Sequence, residues 1–166
     1  MRMDMQVKIR EMTALYVERD ARVLMLYRIG SRVGPPSWRG IGGHLEKEEL
    51  GDAYACVLRE MEEETLLRRE MLEDLRLKYV TMRLKDGEIR QNYYFFATLR
   101  AGVEIALSCN EGRLEWVDEA RVLELYMPPS AKAALEHYYA LGRNDDRLYG
   151  GVTTENGVTF TPFEEF

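Results

Sequence analysis

The chain of 166 residues suits a single domain, long enough to bury about two-thirds of its unfolded surface. Its 46% apolar and 31% charged residues describe an ordinary globule, not a disordered or fibrous chain. The formal net charge of −6 argues against polymeric nucleic acid as a partner, because a phosphate backbone asks for a basic stripe. It still allows a small anionic ligand, provided a metal ion bridges phosphate and protein. No apolar run approaches the roughly 20 residues that would span a bilayer, so no membrane partner is expected. The N-terminus, MRMDMQVKIREM, lacks the apolar core of a signal peptide, and a cytoplasmic location is the expectation. Cys56 and Cys109 are the only cysteines and suggest no disulfide framework. With only His44 and His137, a histidine-rich zinc site is unavailable. Any metal here would take oxygen ligands, which points to Mg²⁺, with Mn²⁺ as a substitute.

In chain order, residues 6–18 alternate loosely and then run apolar, as a strand does. RDA (19–21) reads as a turn and RVLMLYRI (22–29) as a second strand. GSRVGPPS (30–37) is a Gly/Pro loop, followed by WRGIGG (38–43), whose glycines suit a close backbone approach. Asp52 can cap a helix from about Ala53 to Leu66. Two strands, 75–84 and 89–100, flank KDGE, a strong hairpin signal. A shorter strand, GRLEWVD (112–118), precedes two predicted helices, DEARVLEL (118–125) and SAKAALEHYYALG (130–142). The tail holds a turn at ENG between β-prone runs, which predicts a hairpin. The expectation is one α/β domain over 1–166, with a core of about 8–142 and a C-terminal extension at 143–166.

The first helix is chemically odd. Glu60, Glu62, Glu63 and Glu64 crowd its second half, and like charges three or four apart repel by roughly 0.2–0.5 kcal/mol per pair. At 100° per residue, Glu60, Glu63 and Glu64 fall in one stripe about 100° wide, which continues the small face of Ala53, Cys56 and Val57. Tyr54, Leu58 and Met61 form a second, apolar stripe assigned roughly to the opposite side, with Arg59 and Glu62 between. Carboxylates that continue a semi-buried face cost stability unless a cation or hydrogen bonds compensate.

This stretch resembles the Nudix box, G-x5-E-x7-R-E-U-x-E-E-x-G-U, where U is a bulky apolar residue. Arg59, Glu60, Met61, Glu63, Glu64 and Leu67 match its second half at the correct spacing, and Gly43, preceded by Gly42, matches its opening. SWRGIGGH and SCNEGRLEWVD extend the similarity to the MutT and 8-oxo-dGTP diphosphatase branch, over roughly residues 8–127. Two departures stand out. Gly43 to Arg59 is sixteen steps against fourteen, which places the consensus glutamate at Glu49 with an insertion after it, and Leu66 stands where glycine is usual. Leucine suits a left-handed backbone poorly, so Leu66 is expected to alter the helix exit.

The resemblance implies a Nudix fold, a mixed sheet between helices (α/β/α), and hydrolysis of a phosphoanhydride by water with Mg²⁺ or Mn²⁺. It makes Glu63 and Glu64 metal ligands, Glu60 a ligand or the group that positions or deprotonates water, and the Gly42 carbonyl a further oxygen ligand. Glu111, five residues before Trp116, matches a distal acidic ligand. Arg59 would pair with Glu49 and hold the loop to the helix. Arg28, Arg32 and Arg39 are candidates for phosphate or base, and Trp38 for stacking on a base. The implied substrate is a small nucleoside diphosphate-X compound, foremost a (deoxy)nucleoside triphosphate, oxidised or not, cleaved to monophosphate and pyrophosphate. The alternatives are an ADP-ribose or nucleotide-sugar diphosphatase, or a non-catalytic nucleotide-binding module. A homodimer is compatible with the sequence and not specified by it.

Overall fold

The computed structural model describes residues 7–29 and 35–166. Nine strands form one mixed sheet: β1 (Lys8–Arg19), β2 (Arg22–Arg28), β3 (Ser37–Arg39), β4 (Leu72–Lys85), β5 (Glu88–Leu99), β6 (Ser108–Cys109), β7 (Gly112–Asp118), β8 (Tyr149–Thr154) and β9 (Gly157–Pro162). Their order is β6-β7-β2-β1-β5-β4-β8-β9, with β3 paired to β2. β1–β5 and β4–β8 are parallel, and the other pairings are antiparallel. Helix α1 (Ala53–Thr65) packs on one face and helix α2 (Pro129–Ala140) on the other. This is the α/β/α arrangement expected. Among the described residues no helix is long and apolar enough to cross a membrane.

Period-two alternation divides each strand between the two cores. On β1, Leu15 and Val17 face α1, where they meet Leu24, Leu26, Phe95, Val57 and Met61. Tyr16 between them faces α2, with Met25, Tyr79, Phe96, Ala134 and Tyr138. Neighbouring Tyr93 and Tyr94 divide the same way. Tight turns set the registers. Asp20 and Ala21 (φ 53° and 57°) join β1 to β2, and Asp86 and Gly87 (φ 53° and 73°) join β4 to β5, the paired positive φ values that two-residue hairpins require.

The C-terminal hairpin, β8 and β9, extends the sheet beyond β4. A buried cation fixes it there. The Lys78 ammonium, only 1% exposed, donates to both the carbonyl and the carboxylate of Asp145 at 2.9 Å, and Asp145 in turn accepts from the Tyr149 hydroxyl at 2.5 Å. These donors hold the Asp145 carboxyl well below the usual carboxylate range, the Tyr149 bond being the largest influence.

Three local expectations need correction. DEARVLEL makes only a single 3-10 turn, Val122–Glu124, in which Val122 is buried in the α2 core and Leu123 and Leu125 pack half-buried against it. Met61 is buried in the same core as Val57, so the second stripe of α1 adjoins the first instead of opposing it. Leu58 packs at its border, and Tyr54 lies largely exposed. Leu66 does not disturb the helix exit. It adopts the left-handed conformation (φ 61°, ψ 9°) that glycine would supply, with its N–H bonded to the Glu62 carbonyl.

Two stability outcomes follow. Leu66 is 75% exposed and loses little packing on truncation, so Leu66→Gly raises stability by about 0.5–1 kcal/mol, read from denaturant midpoints. Asp145→Asn leaves the Lys78 charge buried without its counter-ion and costs about 2–4 kcal/mol, less than a wholly buried pair because Asp145 is 27% exposed. A thermal melt reports that loss.

Candidate active site

The site forms where the loop after β3 crosses β1 and meets α1. Thr13 N–H donates to the Gly43 carbonyl, and Ile41 exchanges both backbone bonds with Leu15. Residues 41 and 43 therefore spend their polar groups on β1, and Gly42 turns its N–H the other way, to Glu64 Oε2 at 3.1 Å. Space requires glycine at residue 42, where the neighbour is backbone, while at residue 43 the neighbour is a carboxylate at the end of a flexible side chain. A Cβ on Gly42 would collide with the Thr13 carbonyl, and one on Gly43 with the Glu60 carboxylate.

Arg59 organises the acids. It grips Glu49 with two bonds, Nε to Oε1 at 2.5 Å and one terminal nitrogen to Oε2 at 3.0 Å. The same nitrogen reaches the His44 carbonyl at 3.2 Å, and the other reaches Glu60 and Glu63 at 3.1 Å each. Glu49 also accepts the Glu46 N–H at 2.9 Å, closing the 3-10 turn Lys47–Glu49. The two extra residues lie just beyond, at exposed Leu50 and Gly51. Asp52 then caps α1 by accepting the Ala55 N–H at 3.0 Å.

The stripe of glutamates is graded in depth. Glu64 is buried, Glu60 half-buried, and the Glu63 side chain 58% exposed and turned onto Arg59. Glu64 Oε1 is buried with no donor among the described residues. Burial, then the carboxylates of Glu111 and Glu60, push the Glu64 carboxyl up, while the Gly42 N–H pulls against them. Glu60 is raised chiefly by its own burial, against Arg59. Glu111 comes from the turn between β6 and β7, where its N–H donates to Cys109 Sγ at 3.4 Å. The β2–β7 register sets Arg28 opposite Gly112, and Arg28 reaches Glu111 at 3.6 Å.

Glu60, Glu64, Glu111 and Gly42 thus share one space, with Glu63 and Arg59 at its rim. Among the described residues, no three acidic, histidine or cysteine side chains close around a single point at ligand distance. The donor set nonetheless fits a hard cation: oxygen only, one buried oxygen without a donor, and mutual repulsion that a positive charge would relieve. Arg39 lies half-buried on Ser37 Oγ at 3.1 Å, where the Arg28 charge lowers its pKa after burial and Glu111 raises it. Trp38 packs half-buried at the edge of the α2 core, against Tyr27 at 5.0 Å between centroids and under the Arg113 guanidinium. Arg32 lies outside the described residues. Sequence reasoning missed Cys109 as the seat of Glu111 and Arg28 as its counter-ion, since only the β2–β7 pairing brings them together.

The NUDIX domain family matches residues 8–138. No curated protein matches the chain. Among solved structures, a MutT protein of Bacillus halodurans is 26% identical, covers 95% of this chain and 99% of its own, and superposes with a TM-score of 0.68. A MutT protein of Methanosarcina mazei Go1 (18% identical, 85% and 99% covered, TM-score 0.65) shares the fold. So does an Ap4A hydrolase of C. elegans (17%, 83% and 99%, TM-score 0.64).

Arg59 holds the Glu49 carboxyl down at about 2, against an ordinary 4.5. The stabilisation is therefore complete above about pH 4.5 and is lost as pH falls toward 2. Glu49→Gln costs about 1–2 kcal/mol at neutral pH and flattens that acid limb, as Tm measured against pH will show.

Proposed function

We propose, for a chain that belongs to the NUDIX family and is a pyrophosphohydrolase, that it cleaves nucleoside or deoxynucleoside triphosphates to monophosphate and pyrophosphate with Mg²⁺. The observation that carries the metal reading is Glu64, a buried carboxylate fixed by the Gly42 N–H through one oxygen and left without a donor on the other. Glu60, Glu63, Glu64, Glu111 and the Gly42 carbonyl would hold the cation. Once bound, it would neutralise phosphate charge and lower the pKa of an attacking water.

The chain's own residues supply the rest. Glu60, half-buried against Gly43, would take a proton from water. Arg59 ties Glu60 and Glu63 to Glu49 and to the His44 carbonyl, which keeps loop and helix in fixed relation. That fixed relation spares the site a reorganisation cost when charge develops. Arg28 and Arg39, which both interact with Glu111, would contact the phosphate chain or the base. The complete set Arg59, Glu60, Glu63 and Glu64 supports hydrolysis over a purely binding role.

A panel of NTPs, oxidised dNTPs, ADP-ribose, nucleotide sugars and dinucleoside polyphosphates with Mg²⁺ or Mn²⁺ tests the reading, with product analysis to identify the bond cut. Triphosphates are expected to turn over fastest, with pyrophosphate released. Glu64→Gln and Glu63→Gln are each expected to lower kcat/KM by at least roughly 10²-fold, about 2.7 kcal/mol of barrier. Full activity of Glu64→Gln would defeat the metal assignment. Preference for ADP-ribose would move the substrate to the sugar-linked diphosphates.

A further inference from the structure

A row of like charge crosses the sheet on its α2 face, beyond the reach of the helix. In register, Arg10 of β1 pairs with Arg90 of β5, and Arg90 pairs with Arg83 of β4. These strand positions continue the alternation of Tyr16, Tyr94 and Phe96, which pack toward α2, so all three guanidiniums stand on that face. The next row outward reads Lys8, Glu88, Lys85 in the same pairings. Five cations therefore surround one carboxylate, on a chain whose net charge is −6. Glu88 is shared, taking Arg10 at 3.1 Å and Arg90 at 3.2 Å through the same oxygen. Among the described residues Arg83 has no carboxylate within ion-pair distance.

Like charges placed directly opposite on neighbouring strands destabilise a sheet, and strand sites facing water accept almost any polar residue. Three arginines in one row are thus a repeated local cost. They converge over roughly 10 Å, two strand spacings, which suits one or two phosphate groups. The arginine fork matches phosphate oxygens in pairs. The Arg10 end of the row opens on a groove that reaches the site already described. The groove, of about 490 Å³, is lined by Lys8, Arg10, Glu88, His44 and Leu45. His44 follows Gly43, which lies against Glu60, and gives its carbonyl to Arg59.

We propose that Arg10, Arg90 and Arg83 form a second anion subsite, which takes a phosphate or pyrophosphate group of the substrate lying outside the acidic cluster. The identity of the ligand's other end rests on the hydrolase reading; the subsite itself does not. Substrates with a longer phosphate chain, or a further phosphate elsewhere, would span both sites.

Calorimetry with inorganic tripolyphosphate, in the absence of divalent cation, tests this on the full chain. Binding is expected to weaken at least about tenfold in Arg83→Gln and in Arg90→Gln, and to survive in Arg83→Lys and in Glu64→Gln. In hydrolysis, Arg83→Gln is expected to raise KM for the longest-chain substrate about tenfold with kcat unchanged. Melting curves confirm that the variants fold, and exposed Arg10→Gln serves as a second probe should Arg90→Gln unfold. Undetectable binding to the wild-type chain, or equal binding by wild type and Arg83→Gln, would overturn the subsite. So would a single-stranded oligonucleotide that binds more tightly than tripolyphosphate and gains affinity with each added nucleotide. Loss of turnover in Glu64→Gln with tripolyphosphate binding intact separates a failure of the subsite from a failure of the hydrolase reading.

Discussion

The site depends on one guanidinium. Arg59 bonds to Glu49, Glu60 and Glu63, reaches Glu46 at 3.8 Å, and donates to the His44 carbonyl. Without it, the half-buried Glu60 and the acids on the loop would repel one another across a gap that backbone alone could not close. A lysine would not replace it, because a single ammonium cannot grip Glu49 with two parallel bonds and still reach the helix and the loop. The glycines follow from the same constraint. Drawing the loop this close to β1 leaves no room for a Cβ at residue 42, and one at residue 43 would displace the Glu60 carboxylate.

The sheet supplies the second requirement, since it fixes the distance between parts that are remote in sequence. Glu64 sits on α1, Glu111 in the turn before β7, and Arg28 at the end of β2. The β2–β7 register brings the last two together, and packing of α1 on β1 and beside β6 brings Glu64 to them. A slip of one residue in that register would turn Arg28 to the opposite face. Extension of the sheet by β8 and β9, pinned by Lys78 and Asp145, covers the outer edge of β4 and leaves the loops at the other end free for the site.

Much of this was legible before any coordinates. The β4–β5 hairpin carries Asp86 and Gly87, which tolerate positive φ, and the patterns of apolar residues in β1, β5 and α2 located their elements. The box residues were legible because their spacing is a property of one helix and one loop. Other features depend on pairing across the sheet, which spacing along the chain does not contain. The face that Trp38 takes, for example, follows from alternation along β3, which sends it to the α2 side. Leu66 looked disruptive because left-handed leucine costs about 1–2 kcal/mol, a cost that the core contacts of Leu67 and Met61 on either side outweigh. DEARVLEL had helical periodicity, yet only Val122–Glu124 make a turn, with Leu123 and Leu125 packed on the same core as Val122.

Charge shows the same limit. A net value of −6 sums the acids of α1 and its loop with the cations of β1, β4 and β5, which lie on different faces. The sum predicts weak attraction to any polyanion, yet field strength near the surface is set by groups within a Debye length of about 8 Å. Within that distance, the row through Arg90 is strongly positive and the α1 site strongly negative. His44 stands where they meet: burial and the charges of Arg10, Arg28 and Arg90 lower its pKa, favouring the neutral ring near the acids. A phosphate-bearing ligand laid across that boundary would meet guanidinium on one side and, on the other, carboxylates that tolerate phosphate only with a cation between.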